Sequence, residues 1–198
     1  MIIELFPSTL FLIKVKNHKK IKDKCLEYII PEYEAEPSTF VDAWDADVFT
    51  TFGKNIDFPW NDILPLYSEE LKTFSEELNL VGNPMITDAW FNAYKENQGQ
   101  EMHEHLPSHF SAIHYLSYDK EVHTPTVFCS PFRQSALSNA PVFNKDIDEV
   151  PGTWVSLQYV KVDEGDLLIF PSFLEHKVPR QSSNKIRATM SFNMNFVQ

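Results

Sequence analysis

The stretch IRATMSFNMNF, residues 186–196, alternates between apolar and polar side chains at every position. Successive side chains of a β-strand point to opposite sides, so the apolar residues form one face and the polar residues the other. Such a strand packs its apolar face on a core, while its polar face meets water or lines a polar pocket. The stretch therefore predicts a strand in a sheet that has at least one buried face.

Short strands and two helices are predicted along the rest of the chain. The predicted strands are 2–6, 10–15, 86–95, 103–105, 111–118, 126–128, 154–162 and 166–170. One predicted helix spans 19–30 and ends before Pro31, and the other spans 62–80 with Pro65 in its first turn. Many consecutive short strands, with helices mainly upstream, predict a β-sandwich or jelly roll. The stretch 130–153, with three prolines, is predicted to be a long loop that could serve as a lid.

Composition narrows the classes of partner and compartment. The 198 residues suit one domain, 1–198. The net charge of −11 disfavours nucleic acid, which is a polyanion. Cys25 and Cys129 match no metal or redox spacing, and no apolar run is long enough to span a bilayer. We therefore expect no membrane association and a cytoplasmic protein, in the host cytoplasm if it comes from a phage.

Histidines provide the first candidate site. Five of the seven histidines lie between residues 103 and 123. A single histidine is more often a surface or core residue than a metal ligand, but His103 and His105 form a His-x-His pair. An extended strand places residues i and i+2 on one face, where both rings can reach one metal. The candidate for a third ligand is His176, which follows a predicted buried strand and Pro171.

Arg187 adds a second candidate feature. It lies 11 residues after His176, on the polar face of the last predicted strand, and Ser191 follows on the same face. A guanidinium beside a hydroxyl suits a carboxylate, because it offers a bidentate ion pair and one further donor. The alternative is a surface arginine on an exposed strand face, and the nearby histidine pattern favours the carboxylate site.

The ordered set of motifs resembles the 2-oxoglutarate- and Fe(II)-dependent oxygenase superfamily over residues 84–197. The matching pieces are Asn92-Ala93-Tyr94, His103-Glu104-His105, Ser111-Ala112-Ile113-His114-Tyr115-Leu116, the segment from Glu164-Gly165-Asp166 to Pro171 followed by His176, and Arg187 with Ser191. The narrower string from His103 to Asn193 is similar to a branch of oxygenases common in tailed phages and marine bacteria. The resemblance implies an α+β chain with a double-stranded β-helix (jelly-roll) core and N-terminal helices packed on one sheet.

The resemblance also implies roles for individual residues. Fe(II) would be held by His103, His105 and His176. The co-substrate 2-oxoglutarate would chelate the iron, and Arg187, Ser191 and Tyr115 would hold its far carboxylate, with Asn92 and Tyr94 as further co-substrate-binding residues. With O2, 2-oxoglutarate would be converted to succinate while a C–H bond of a peptide side chain or small molecule is hydroxylated.

His105 departs from the usual facial triad, which has two histidines and one carboxylate. Three imidazoles would leave the site one unit more positive, and Zn(II) or Ni(II) would become stronger competitors of Fe(II). Glu104 is adjacent, but on a strand it would point to the opposite face. The sequence also allows His105 to be a group that is hydrogen-bonded to the site without being a ligand.

Two other functions stay open on the sequence. A cupin-type dioxygenase with three histidines and no 2-oxoglutarate would share the jelly roll and the His-x-His pair, but would leave Arg187 without a ligand. A metal-binding or substrate-binding jelly-roll module without catalysis is the third possibility. The sequence indicates neither the substrate nor the oligomeric state.

Overall fold

The computed structural model describes residues 8–38, 46–131 and 157–197. Its helices are α1 (His18–Ala35), α2 (Trp60–Ile63), a 3-10 turn (Leu64–Tyr67) and α3 (Ser68–Glu77). Its strands are β1 (Phe11–Lys14), β2 (Ala46–Asp47), β3 (Phe49–Thr50), β4 (Asn83–Tyr94), β5 (Gly99–His103), β6 (Phe110–Ser117), β7 (Val127–Cys129), β8 (Leu157–Tyr159), β9 (Asp166–Pro171), β10 (His176–Val178) and β11 (Arg187–Val197). The predicted strand at 2–6 and most of the predicted loop lie outside the described ranges.

Two antiparallel sheets form the double-stranded β-helix core. The larger sheet has the strand order β1-β9-β6-β11-β4-β3, and the smaller has the order β2-β5-β10-β7-β8. Apolar side chains join the sheets: Ile113 on β6 and Phe170 on β9 belong to one buried cluster with Phe128 on β7. The α+β fold class predicted from the sequence is confirmed.

Strand β11 lies near the middle of the larger sheet and pairs with β4 on one side and with β6 on the other. Its apolar face packs under the helices, in a cluster that includes Met190, Phe192 and Ile29 of α1. The helices therefore cover one face of the larger sheet, as predicted. The polar face of β11 points to the space between the sheets, and its Arg187 and Thr189 are buried.

Both helix predictions are wrong in their bounds. Helix α1 continues through Pro31 to Ala35. Burial of Ile29 and Tyr33 on either side of Pro31 stabilises this helical turn against the loss of one backbone N–H. The predicted helix 62–80 divides into α2, the 3-10 turn and α3, because the turn takes in Pro65 near its start.

Among the described helices, none is long and apolar enough to cross a membrane.

A chain of side chains ties the helices to β6 on the sheet face opposite the space between the sheets. The Tyr67 hydroxyl lies 2.6 Å from His114 Nδ1, and His114 Nε2 lies 3.0 Å from His18 Nδ1. His18 Nε2 is 3.5 Å from a carboxylate oxygen of Glu164. His114 is fully buried, so its ring must keep both partners to satisfy its two nitrogens.

We predict that acid destabilises the protein through His114. Burial, with smaller effects of His18 and Lys14, holds the pKa of His114 well below its ordinary value of 6.5. Below pH 6.5 His114 therefore binds a proton in the unfolded chain but stays neutral in the folded protein. The contribution of neutral His114 to the free energy of unfolding is fully present above that pH and is lost as the pH falls. At pH 5.5 the loss is about 1 kcal/mol for this residue alone.

Urea unfolding of the wild type and of His114→Gln at pH 7.5 and 5.5 measures this effect. The variant is expected to be less stable at pH 7.5, since glutamine cannot bridge Tyr67 and His18 in the same way. Its further loss on acidification should nevertheless be smaller than the wild-type loss by about 1 kcal/mol. Equal acid-dependent losses in the two proteins would contradict the prediction.

Candidate metal and co-substrate site

Three histidines converge between the two sheets. The ligand nitrogens of His103, His105 and His176 all lie within 4.8 Å of one another. The ring centroids of His103 and His176 are 4.3 Å apart, and His105 lies 5.0 Å and 5.2 Å from those two rings. The sequence pattern therefore selected three side chains that the fold brings together, and their spacing allows one metal ion to contact all three.

Strand pairing positions two of the three rings. His103 is the last residue of β5 and lies opposite His176, the first residue of β10. His105 lies beyond the end of β5, where its backbone N–H donates to Ser172 O at 2.9 Å. The strand predicted through residues 103–105 therefore ends at His103. The backbone bond to Ser172 joins His105 to the turn before β10 and so helps to position its ring beside the other two.

Hydrogen bonds set the tautomers of His103 and His176. His103 Nδ1 lies 2.8 Å from Glu101 O, and His176 Nδ1 lies 2.9 Å from Leu174 O. A carbonyl oxygen only accepts, so each Nδ1 carries the proton and each neutral ring has its lone pair on Nε2. This carbonyl-oriented arrangement is typical of histidines that bind metals.

Burial keeps all three rings neutral. It lowers the pKa of His103, it lowers that of His105 to about 3 with a further contribution from His103, and it holds that of His176 well below 6.5. Metal ions bind neutral imidazole, so protons do not compete for these nitrogens near neutral pH. The cluster is therefore electrically neutral.

Arg187 lies in the same cavity, with its side chain only 1% exposed. Its guanidinium carbon lies 5.1 Å from the Tyr94 ring centroid and 5.3 Å from that of Tyr115. Nη2 donates to Thr126 Oγ1 at 3.2 Å, whereas Nε and Nη1 are buried and have no hydrogen-bond partner among the described residues. The alternative of a surface arginine is excluded. Two donor nitrogens are left for an acceptor that enters the cavity.

The other predicted co-substrate residues also line or flank this cavity. Tyr94 donates to Gln100 Oε1 at 2.9 Å, and Tyr115 donates to Thr126 Oγ1 at 3.2 Å. With its amide oriented to satisfy both ends, Asn92 donates to Thr50 Oγ1 at 2.7 Å and accepts from Trp90 Nε1 at 3.1 Å. Asn92 thus contacts the indole that packs on His105.

Ser191 lines the cavity, but it lies far along β11 from Arg187. At about 3.3 Å per residue, the Cα atoms of the two residues are about 13 Å apart. Register places Arg187 opposite Tyr94 and places Ser191 opposite Trp90. Thr189 lies on the same face at about half that distance from Arg187, and it is buried in the cavity wall.

Two residues near Arg187 were missed by the sequence reasoning. Thr126 accepts from both Arg187 and Tyr115, yet it lies 61 residues before Arg187 and in no recognisable motif. Thr189 could have been found, since it is two residues after Arg187 on the predicted polar face. Both add hydroxyl groups to the arginine end of the cavity.

A protein-family model and several solved structures are similar to this chain. A family model described as "Putative 2OG-Fe(II) oxygenase" matches residues 88–193, more than half of the chain. No curated protein sequence matches this chain.

Three solved structures share the fold at low sequence identity. A viral collagen prolyl hydroxylase from Paramecium bursaria Chlorella virus 1, in complex with 2-oxoglutarate, is 10% identical with a TM-score of 0.56, over 95% of this chain and 96% of that one. HygX from Streptomyces hygroscopicus, with nickel, 2-oxoglutarate and hygromycin B bound, is 12% identical with a TM-score of 0.53, over 96% and 84%. An oxidoreductase of the 2OG-Fe(II) oxygenase family from Burkholderia pseudomallei is 13% identical with a TM-score of 0.50, over 68% and 55%.

The residues present fit the metal and co-substrate of that family, Fe(II) and 2-oxoglutarate. Three neutral imidazoles form a donor set that iron accepts. The unpartnered Nε and Nη1 of Arg187 are buried cationic donors that a carboxylate can satisfy. The metal donors and the carboxylate-binding group line one cavity.

We predict that His176→Ala removes metal binding while His109→Ala keeps it. His109 is an exposed histidine of the same region, and its Nδ1 accepts from the backbone of Phe196, away from the cluster. Even a residue that only orients a ligand typically contributes 10–100-fold to affinity, so loss of the His176 ligand should weaken Co(II) binding by roughly 100-fold or more. Titration by calorimetry measures this. Similar affinities in the two variants would exclude His176 from the metal site.

Proposed function

Because the chain belongs to the 2OG-Fe(II) oxygenase family, we propose that it is an Fe(II)- and 2-oxoglutarate-dependent dioxygenase that hydroxylates a peptide side chain or a small molecule. The observation that carries the proposal is the buried guanidinium of Arg187 in the cavity of the three histidines, with two donor nitrogens that have no acceptor among the described residues. A buried cation with donor nitrogens that lack acceptors is costly, so its presence indicates a ligand that supplies those acceptors. A dicarboxylate that also reaches the metal meets this requirement.

Each histidine would contribute one nitrogen to the metal. His103 and His176 present Nε2, because their Nδ1 atoms donate to carbonyl oxygens. His105 completes the set from the turn after β5. When bound, Fe(II) and 2-oxoglutarate supply the oxidising chemistry, in which O2 and the keto acid are consumed, succinate and CO2 are released, and one oxygen atom enters a C–H bond.

The far carboxylate of 2-oxoglutarate would bind to Arg187. The rings of Tyr94 and Tyr115 flank the guanidinium, and Thr126 accepts from Nη2, so the guanidinium plane is held in one orientation. A charge-assisted contact to such a group is strong because the donors are already oriented and need no rearrangement. The position of Thr189, closer to Arg187 than Ser191, favours Thr189 as the additional hydroxyl donor.

The side of the cavity next to His105 would receive the substrate. Trp90 packs on His105 with ring centroids 5.3 Å apart, and Phe52 packs on Trp90 at 4.9 Å. Phe52 is 48% exposed, so an aromatic surface continues from the histidines to the outside. Similarity to the viral collagen prolyl hydroxylase and to HygX with hygromycin B bound supports a peptide or a small molecule as the substrate class.

The cupin-type alternative accounts for the three histidines but not for Arg187. Without 2-oxoglutarate, that side chain would remain a buried cation with two unsatisfied donor nitrogens. A module without catalysis accounts for Arg187 only if it binds an anion for another purpose. Formation of succinate from labelled 2-oxoglutarate separates the proposal from both alternatives, and oxygen uptake without succinate would favour the cupin-type enzyme.

We predict that Arg187→Ala keeps metal binding and loses most of its affinity for 2-oxoglutarate. A charge-assisted bidentate contact contributes about 1.5–3 kcal/mol, so the expected loss is roughly tenfold to hundredfold. The matched control is Arg180→Ala, which removes an exposed arginine that donates to Asn97 O. Calorimetry on the metal-loaded proteins measures both affinities. Unchanged binding of 2-oxoglutarate to Arg187→Ala would contradict the assigned role.

A further inference from the structure

The cavity is cationic although the protein is acidic. Arg187 is a permanent cation, and no carboxylate lines the cavity within the part of the chain that the structure describes. The whole chain, by contrast, carries a net charge of −11. The cavity is therefore positively charged, whereas the molecule as a whole is negatively charged.

Loading with metal and co-substrate does not neutralise this cavity. The three imidazole ligands are neutral, a divalent metal brings two positive charges and Arg187 brings a third. Doubly charged 2-oxoglutarate cancels two of these charges and leaves one. In the usual triad the carboxylate ligand cancels that last charge, and here His105 stands in its place.

Neither nearby glutamate in the sequence replaces the missing carboxylate. Glu104 is exposed, and Glu101 contacts His103 through its backbone oxygen. The carboxylates of both residues lie outside the group of ligand atoms and outside the cavity lining. On the His105 side the cavity is bordered by the rings of Trp90 and Phe52, which carry no charge that could compensate the remaining positive charge.

We propose that the loaded site binds one further monoanionic group on the His105 side, beside the metal and separate from 2-oxoglutarate. The inference rests on the proposed function and narrows its substrate class to a small organic monoanion with an apolar body. The carboxylate or other anionic group compensates the remaining charge, and the apolar body packs on Trp90 and Phe52. A free halide offers the same charge and is the other source of such an anion.

The test compares two probes of nearly equal shape, phenylacetate and phenylacetamide. Each is titrated by calorimetry into the Co(II)-loaded protein with saturating 2-oxoglutarate in a chloride-free buffer. We expect phenylacetate to bind at least about tenfold more tightly, and dialysis with labelled 2-oxoglutarate should show that the co-substrate stays bound. Equal affinities, or displacement of 2-oxoglutarate by phenylacetate, would overturn the proposal.

Substitution of His105 tests the cause of the preference. His105→Asp restores the carboxylate and should reduce the preference for phenylacetate to about threefold or less, whereas Glu104→Gln should keep the wild-type preference. A preference that is unchanged in His105→Asp would refute the charge argument. The wild-type comparison of the two probes decides the proposal even if that variant does not fold.

A chloride titration distinguishes the two sources of the anion. If chloride at millimolar concentration blocks phenylacetate while 2-oxoglutarate stays bound, the site takes a free halide; if it does not, the anionic group belongs to the organic ligand. Failure of the Co(II)-loaded protein to bind 2-oxoglutarate would refute the proposed function. In that case, phenylacetate and phenylacetamide would be compared without co-substrate in the wild type and in His105→Asp. This comparison would still test the role of charge at position 105.

Discussion

The backbone pairing of β11 on both of its sides is the constraint on which the rest of the structure depends. Its pairing with β4 extends from Arg187 to Val197, and β6 pairs with it on the other side. Because both neighbours fix the register of β11, each of its side chains points to one defined face of the sheet. A slip by one residue would turn Arg187 towards the helices and Met190 towards the metal site, which is costly in both places.

The same pairing places the site between the two sheets. Three adjacent strands of the larger sheet, β4, β6 and β11, supply the arginine and most of the polar side chains around it. Two adjacent strands of the smaller sheet, β5 and β10, supply His103 and His176. The histidines proposed as metal ligands and the arginine proposed to bind a carboxylate therefore come from different sheets, and the apolar cluster that joins the sheets keeps them in one cavity.

The sequence predicted those parts of the structure that depend on local patterns. Alternation in residues 186–196 predicted β11 and the side on which Arg187 lies. The His-x-His pair was recognised by an argument from strand alternation, whereas β5 ends at His103 and His105 is also held by a backbone bond to Ser172. The continuation of α1 through Pro31 and the contact of Thr126 with Arg187 could not be predicted, because both depend on packing between segments distant in the chain.

The position of Arg187 also shows why this site is better suited to binding than to stability. Two of its donor nitrogens, Nε and Nη1, are buried away from water and have no acceptor among the described residues, and each such loss costs about 1–3 kcal/mol. The two tyrosine rings offset part of this cost, since cation–π contacts contribute about 0.5–2 kcal/mol. An apolar residue of similar volume would avoid the cost and stabilise the fold, but it would leave no group for a carboxylate. Because a buried cation in this position destabilises the fold and its unpartnered nitrogens gain acceptors only from a bound anion, its presence is an argument for a binding site that does not depend on the histidines.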